Sequence, residues 1–233
     1  MASAFVFPGG AAEEGEDAKT AAARELFEEA GVLLARDAGV QAETLETPNQ
    51  EHLRKRVLAG IPAKDVLHLA GLTWALDGLV PWSHWITPSV EKKRFSARFF
   101  VCEMPAGQEP RFDATEVVDQ VWVTPEDAIA RAAELMLPPP QVRTCWELAH
   151  CATLDDVLVA GRARAEEPFP IMPRLLQGAA PCLLLPWDPQ YVDAMGDSAP
   201  MAYRPKWAIG PSRFVMEDRA WKHVGAPGST TAG

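Results

Sequence analysis

The pattern of hydrophobic positions changes character twice along the chain. Residues 4–7 (AFVF) are a short apolar run stopped by Pro8-Gly9-Gly10, which predicts a strand. Residues 18–30 are rich in Ala, Leu and Glu and are followed by Gly31, which predicts a helix with a glycine stop. A further apolar run, VLLA, follows at 32–35. Two more helices are predicted near 48–59 and 63–71, the first carrying a charged run (EHLRKRVL) that reads as a solvated face. From Leu79 onward the residues become β-branched and aromatic. LVPWSHWITP (79–88), RFSARFFVCEM (94–104) and VVDQVWVTP (117–125) read as three strands separated by turns. PEDAIARAAELM (125–136) has proline in its first turn and acids after it, which predicts an amphipathic helix broken by LPPP at 137–140. Helices are predicted near 141–151 and 154–166. Beyond about 167 the chain reads as proline-rich and irregular with short apolar runs (PIMP, CLLLP), and the last nine residues, GAPGSTTAG, read as disordered. No internal repeat is present.

A chain of 233 residues with 48% hydrophobic composition can bury one sizeable core, with or without an extension. The formal net charge of −10 excludes a general nucleic-acid binder, because there is no basic surplus to neutralise phosphates. It leaves phosphate substrates open, since a bound divalent cation reverses the local sign. Cys102, Cys145, Cys151 and Cys182 form no C-x-x-C pair and read as buried or neutral thiols of a reducing compartment. The N-terminus turns acidic without a secretory leader, and no apolar run approaches the ~20 residues of a membrane span. The expectation is a soluble, cytoplasmic protein.

The first predicted helix changes this picture most. Glu25, Glu28 and Glu29 stand at i, i+3 and i+4, which places three carboxylates on one face. Unpaired, they repel one another. Arg24 can offset one of them, and Glu16 lies just ahead of the helix, within reach. Clustered hard oxygen ligands suit Mg²⁺ or Mn²⁺. Gly9 and Gly10 allow the backbone to approach a ligand closely. An acidic triplet alone is most often plain surface, but the longer spacing is far more specific. Gly10, five residues, Glu16, seven residues and RELFEEAGV spell G-x5-E-x7-R-E-U-x-E-E-x-G-U, where U is Leu26 or Val32. At average residue usage, that pattern arises by chance on the order of once in ten million chains of this length.

The pattern resembles the signature of the Nudix hydrolases and matches it at every position. The resemblance implies an α/β fold, an α/β/α sandwich with a mixed sheet, and hydrolysis of a diphosphate linked to another moiety. It assigns Glu25, Glu28 and Glu29 to the catalytic divalent cations, Mg²⁺ or Mn²⁺, and gives Arg24 the orienting of a glutamate. It gives Glu16 and Gly31 the support of the loop, and Gly9 and Gly10 its shape against substrate. Water would attack phosphorus without a covalent intermediate, and the general base would be a glutamate of this signature, the box, or one from a later loop. Glu116 in DATEVVDQVWV is the expected later catalytic carboxylate, with Asp113 a weaker alternative.

Outside the box, FVFPGG, LVPWSHWITP, EKKRFSARFFVCEMPAGQ and LPPPQVRTCWEL occur in the order seen in the branch of peroxisomal coenzyme A diphosphatases and their bacterial relatives. That resemblance implies cleavage of coenzyme A or acyl-coenzyme A to 3′,5′-ADP and a 4′-phosphopantetheine. Another nucleoside diphosphate derivative and a non-catalytic binding domain are the alternatives. The chain ends TTAG, without a peroxisomal signal, which favours the cytoplasm. Arg98 is expected to meet a substrate phosphate, the alternative being an ordinary strand-face salt bridge, which Arg94 fits better. Trp85, with Trp82 and His84, is a candidate to stack on the base, although such a cluster is more often core and strand surface. The expected partners are a small-molecule nucleotide and at most a second copy of the chain; neither nucleic acid nor a membrane is expected.

The expected domain layout is a Nudix domain over 1–136 with a helical insertion at about 46–72, and a helical then irregular extension over 137–233 packed on it. Nudix domains carry one or two strands ahead of the box strand, and only MASAFVF precedes Pro8. The sheet is therefore expected to lack N-terminal strands. A truncated reading frame is the favoured explanation, ahead of segment 167–190 or a partner chain filling the gap.

Overall fold

The computed structural model describes residues 4–39, 49–111, 120–178, 180–195 and 201–227. The chain divides into two compact units, one drawn from residues 8–79 and 102–122 and the other from residues up to 7, 80–101 and 123 onward.

The unit that carries the box begins with α1 (Ala18–Ala30), the range the pattern predicts. The Asp17 side chain caps it, accepting from the backbone N–H of Lys19 and Thr20 at 2.9 and 2.8 Å. Gly31 ends it in the left-handed conformation, with φ 68°. Next come β1 (Ala35–Asp37), α2 (Gln50–Leu58), α3 (Ala63–Leu69) and β2 (Leu72–Trp74). The two strands pair antiparallel, Ala35 opposite Trp74. Phe27 of α1, Leu33, Leu53 and Val57 of α2, and Val66 and Leu67 of α3 form one buried cluster. The hydrophobic stripe of each helix thus faces the same core.

The second unit holds β3 (Val80–Ile86), β4 (Ser96–Val101), α4 (Pro125–Ala130), α5 (Pro139–Leu148), α6 (Leu154–Glu166), β5 (Pro170–Ile171), β6 (Arg174–Leu176), β7 (Cys182–Leu184), β8 (Arg213–Glu217) and β9 (Ala220–Val224). β3 pairs antiparallel with β4 and parallel with β5, a mixed three-stranded sheet in the order β4-β3-β5. A strand from the segment 167–190 therefore does join this sheet. A second, antiparallel sheet runs β6-β7-β8-β9. α6 starts with a capping box between Thr153 and Asp156. It lies close enough to β3 that a Cβ on Gly161 would fall 2.6 Å from Val80 Cγ1. Trp85, Val142, Cys145, Ile171, Leu185, Trp187 and Phe214 share this unit's core.

Two buried ion networks tie its elements together. Glu147 of α5 takes Arg143 at 2.7 Å and Arg164 of α6 at 3.0 Å. Arg143 also donates to the carbonyls of Ile209 and Pro211 at 2.8 and 3.0 Å. Asp188 takes Arg213 of β8 at 2.6 Å and the Ser212 hydroxyl at 2.6 Å.

Four expectations of local structure are corrected. Residues 4–7 form no strand; the Phe5 N–H is taken instead by the Leu135 carbonyl at 3.0 Å. Residues 120–124 form none either, and Trp122 stands 71% exposed, so β-propensity found no ladder there to join. The helix at 125 ends at Ala130 and passes into turns, closing with Met136 at a positive φ of 50°. The stretch beyond 167 is no irregular tail but builds the four-stranded sheet, because each run of three to five residues finds hydrogen bonds only in its neighbours. Of the terminal GAPGSTTAG, residues 228–233 lie outside the described residues. Among the described residues, no helix is long and apolar enough to cross a membrane.

Candidate active site

The box is built around one buried arginine. Arg24 is only 4% exposed, yet it points into the acidic side of its own helix. Its Nε donates to Glu16 Oε1 at 3.0 Å, and its Nη1 to Glu25 Oε1 at 3.0 Å and Glu28 Oε2 at 3.1 Å. Its Nη2 reaches the Ala11 carbonyl at 2.9 Å, tying the glycine loop to the helix. Glu16 is held in turn by the backbone N–H of Glu13 at 3.0 Å. Three carboxylates thus converge on one guanidinium, a fixed planar fork that suits several acceptors at once.

Burial by itself would lower the Arg24 pKa. The hydrogen bond to Glu16 and the charges of Glu28 and Glu25 outweigh it, and the guanidinium sits above its ordinary value. Glu28 is shifted upward. Burial is the main cause, Arg24 opposes it, and the neighbouring Glu25 adds to it. Ionised Glu28 is therefore under-compensated by the protein alone, as expected of a carboxylate that a further cation would stabilise.

The glycines have identifiable tasks. The Gly9 N–H donates to Glu29 Oε2 at 2.9 Å, so the loop grips the third glutamate of the triplet. A Cβ on Gly10 would overlap the Glu25 carboxylate, so no larger residue fits there without moving that side chain. Gly31 fits the left-handed cap, and a Cβ there would fall 3.0 Å from Arg54 Nη1.

The donor set can be tested against a divalent cation. Glu25, Glu28 and Glu29 offer hard oxygen atoms on adjoining turns, with a glycine loop alongside. Among the described residues no group of three or more His, Cys, Asp or Glu side chains is drawn together into a cage, because the Glu25 and Glu28 carboxylates turn to Arg24 and that of Glu29 turns to Gly9. Magnesium needs few protein ligands and keeps several waters, so three carboxylates on one helix face, without a closed cage, are a donor set that suits it.

The other expected site residues fare differently. Glu116 and Asp113 lie outside the described residues. Arg98 and Trp85 belong to the second unit. Arg98 is exposed on β4 opposite His84, and its charge, after burial, helps to lower the His84 pKa. Trp85 is corrected: it is 4% exposed and packs edge-on against Phe214 at 6.5 Å, so it is a core residue and presents no ring face for stacking. Trp82 is fully buried as well, with Arg164 over its ring at 4.1 Å.

Sequence reasoning missed the second layer of the site. Arg54 lies in the run read as a solvated face, yet its Nε and Nη2 donate to the Glu28 carbonyl at 3.0 and 2.6 Å. Gln50 and Gln108 meet at 2.7 Å and also bind the backbone of Gly31 and Leu33. No local signal marks these residues, because the partners they bind are main-chain atoms distant in sequence.

The chain is similar to several known proteins. A family model described as the NUDT19 Nudix domain matches residues 17–148. The chain therefore belongs to the Nudix hydrolase family, within the group that model describes. It is 33% identical over 194 residues to the human acyl-coenzyme A diphosphatase NUDT19, covering 74% of this chain and 50% of that protein. It is 28% identical over 167 residues to the acyl-coenzyme A diphosphatase NUDT19 of Gallus gallus, covering 63% of this chain and 44% of that one. The chain thus spans about half the length of the curated relatives it matches. A crystal structure of a NUDIX hydrolase from Alicyclobacillus acidocaldarius is similar with a TM-score of 0.58 and 26% identity, covering 67% of this chain and 81% of that one. The mixed α/β fold and membership of the family rest on these likenesses.

Proposed function

We propose that the chain is a divalent-metal-dependent diphosphohydrolase that cleaves coenzyme A or acyl-coenzyme A to 3′,5′-ADP and (acyl-)4′-phosphopantetheine. The observation that carries the proposal is the convergence of Glu16, Glu25 and Glu28 on buried Arg24, with Gly10 pressed against the Glu25 carboxylate. The activity named for the human and chicken relatives supports the choice of substrate.

Glu25, Glu28 and Glu29 would hold Mg²⁺ or Mn²⁺. Such an ion, when bound, neutralises diphosphate charge and lowers the pKa of a water. The chain's own residues do the rest. Arg24 fixes the rotamers of Glu25 and Glu28, so that the carboxylates need not reorganise when substrate arrives. Gly9 and Gly10 present a loop free of side chains, against which a diphosphate can lie closely. A box glutamate, or Glu116, takes the proton from the attacking water. Trp85 is not part of the proposal.

The test is a panel of diphosphates incubated with Mg²⁺ or Mn²⁺ and read by mass spectrometry. The expected products are 3′,5′-ADP and 4′-phosphopantetheine, with activity abolished by a chelator. Coenzyme A left intact while a nucleotide sugar or dinucleotide is hydrolysed would overturn the substrate assignment. A folded protein that hydrolyses none of them would overturn the enzymatic one.

A further inference from the structure

The last four carbonyls of an α-helix have no partner within it. At the end of α1, the Gly31 N–H donates to the Phe27 carbonyl at 3.0 Å, and the Arg111 N–H donates to that of Ala30 at 2.8 Å. The carbonyls between them belong to Glu28 and Glu29, two of the residues whose side chains form the acidic face. Both are taken by one side chain from another helix. Arg54 of α2 donates from Nη2 to the Glu28 and Glu29 carbonyls at 2.6 and 2.9 Å, and from Nε to that of Glu28 at 3.0 Å. Its Nη1 continues to the Arg111 carbonyl at 2.6 Å.

The fork is held from both sides. Leu53 and Val57, its neighbours on α2, are buried in one cluster with Phe27 of α1. Gln50, one turn earlier on α2, donates to the Gly31 carbonyl at 2.5 Å. α1 has no basic residue in its own last turn, so Arg54 also supplies the positive charge that a helix C-terminus favours. A rigid guanidinium bound to two consecutive carbonyls limits both the rotation and the rise of the turn that carries them.

We propose that Arg54 is a positioning residue of the metal site: by gripping the main chain of Glu28 and Glu29, it sets where their carboxylates stand. Its action is through the main chain. The inference rests on the reading of Glu25, Glu28 and Glu29 as metal ligands. Partners that orient ligands in this way commonly change metal affinity or activity about 10–100-fold when removed.

The experiment titrates the full chain with Mn²⁺ in the absence of substrate, following the loss of the free-ion signal by electron paramagnetic resonance. Wild type, R54K, R54Q and R54A are compared, with their Tm values measured alongside. R54A is expected to raise the Mn²⁺ Kd about tenfold or more. R54K, which keeps the charge but only a point donor, is expected to recover part of the loss, and R54Q less. A lowered Tm with unchanged Mn²⁺ Kd would overturn the proposal, since it would leave Arg54 a purely structural role. Should R54A fail to fold, R54K and R54Q carry the comparison, and Kd values equal to wild type overturn it equally. A wild-type chain that binds no Mn²⁺ overturns the ligand assignment itself, and the role of Arg54 falls with it. That outcome differs visibly from normal wild-type binding with an indifferent variant.

Discussion

At the scale of single residues, the site is governed by a balance between burial and charge. Glu28 has its pKa raised mainly by burial, against the pull of Arg24. A carboxyl raised in the folded state contributes stability below its unfolded pKa and loses it as pH rises through the folded one. At neutral pH, metal-free Glu28 is therefore a cost to folding. Glu28→Gln is expected to lower kcat by orders of magnitude while leaving the Tm of the metal-free protein unchanged or slightly raised. Retained kcat would sink its assignment as a metal ligand. Gly10→Ala is a finer probe. The added methyl group overlaps the Glu25 carboxylate, the end of a flexible side chain, so the carboxylate moves and the fold stays. A misplacement of about 1 Å can cost about 100-fold in rate. The expected outcome is a fall in kcat of tenfold or more with Tm nearly constant; a variant as active as wild type would show that the Glu25 position is not critical.

At the scale of elements, α1 and α6 match their predicted ranges because each carries its own boundary signals. Asp17 and Gly31 bracket α1, and the Thr153–Asp156 capping box opens α6. Elements whose boundaries depend on partners were less legible. The strands β6 to β9 are short and end in no strong signal. Even the β8–β9 turn uses Asp218 and Arg219 at positive φ (48° and 65°) where glycine would have announced it. The packing of α6 on β3 yields a prediction of its own. In Gly161→Ala, helix propensity gains about 1 kcal/mol. The new methyl group would lie 2.6 Å from Val80 Cγ1 and 3.3 Å from the Pro81 carbonyl. Overpacking of this kind costs about 1–3 kcal/mol, and Val80 is stiff at χ1, so the clash should win. Urea unfolding is expected to show a lower midpoint; an unchanged or higher one would mean that α6 can shift freely off the sheet.

At the scale of the whole molecule, the response to acid should reveal a half-buried histidine. His223 on β9 stacks on Phe214 at 4.7 Å and lies against Arg143, with its Nε2 3.2 Å from Nη1. Burial first, and then the Arg143 charge, push its pKa down to about 3 from an ordinary 6.5. Its folded-state pKa is depressed, so the unfolded chain takes up a proton that the folded chain refuses. The stability that neutral His223 contributes is complete above about pH 6.5 and is lost as pH falls towards 3, with a slope approaching 1.4 kcal/mol per pH unit. Denaturant midpoints measured from pH 7 to pH 4 should fall accordingly, and His223→Gln should flatten the curve. An equal acid slope in that variant would place the effect on other groups.

The sequence by itself determined the first helix and the identity of its charged face. Those features depend on spacing within one turn of helix and on caps only a few residues away, so Arg24, Glu25, Glu28 and Gly31 could be read without any fold. Tertiary structure alone decided what surrounds them. Arg54 reaches the Glu28 and Glu29 carbonyls from 25 residues or more along the chain, and Gln108 meets Leu33 from 75 residues away. Trp85 was expected to stack on a substrate base and is core, because its place depends on Phe214, which lies far along the chain on β8. The physical reason is the same in each case. A main-chain carbonyl or a buried ring carries no signature in the residues that will meet it, and only the folded chain brings the two together.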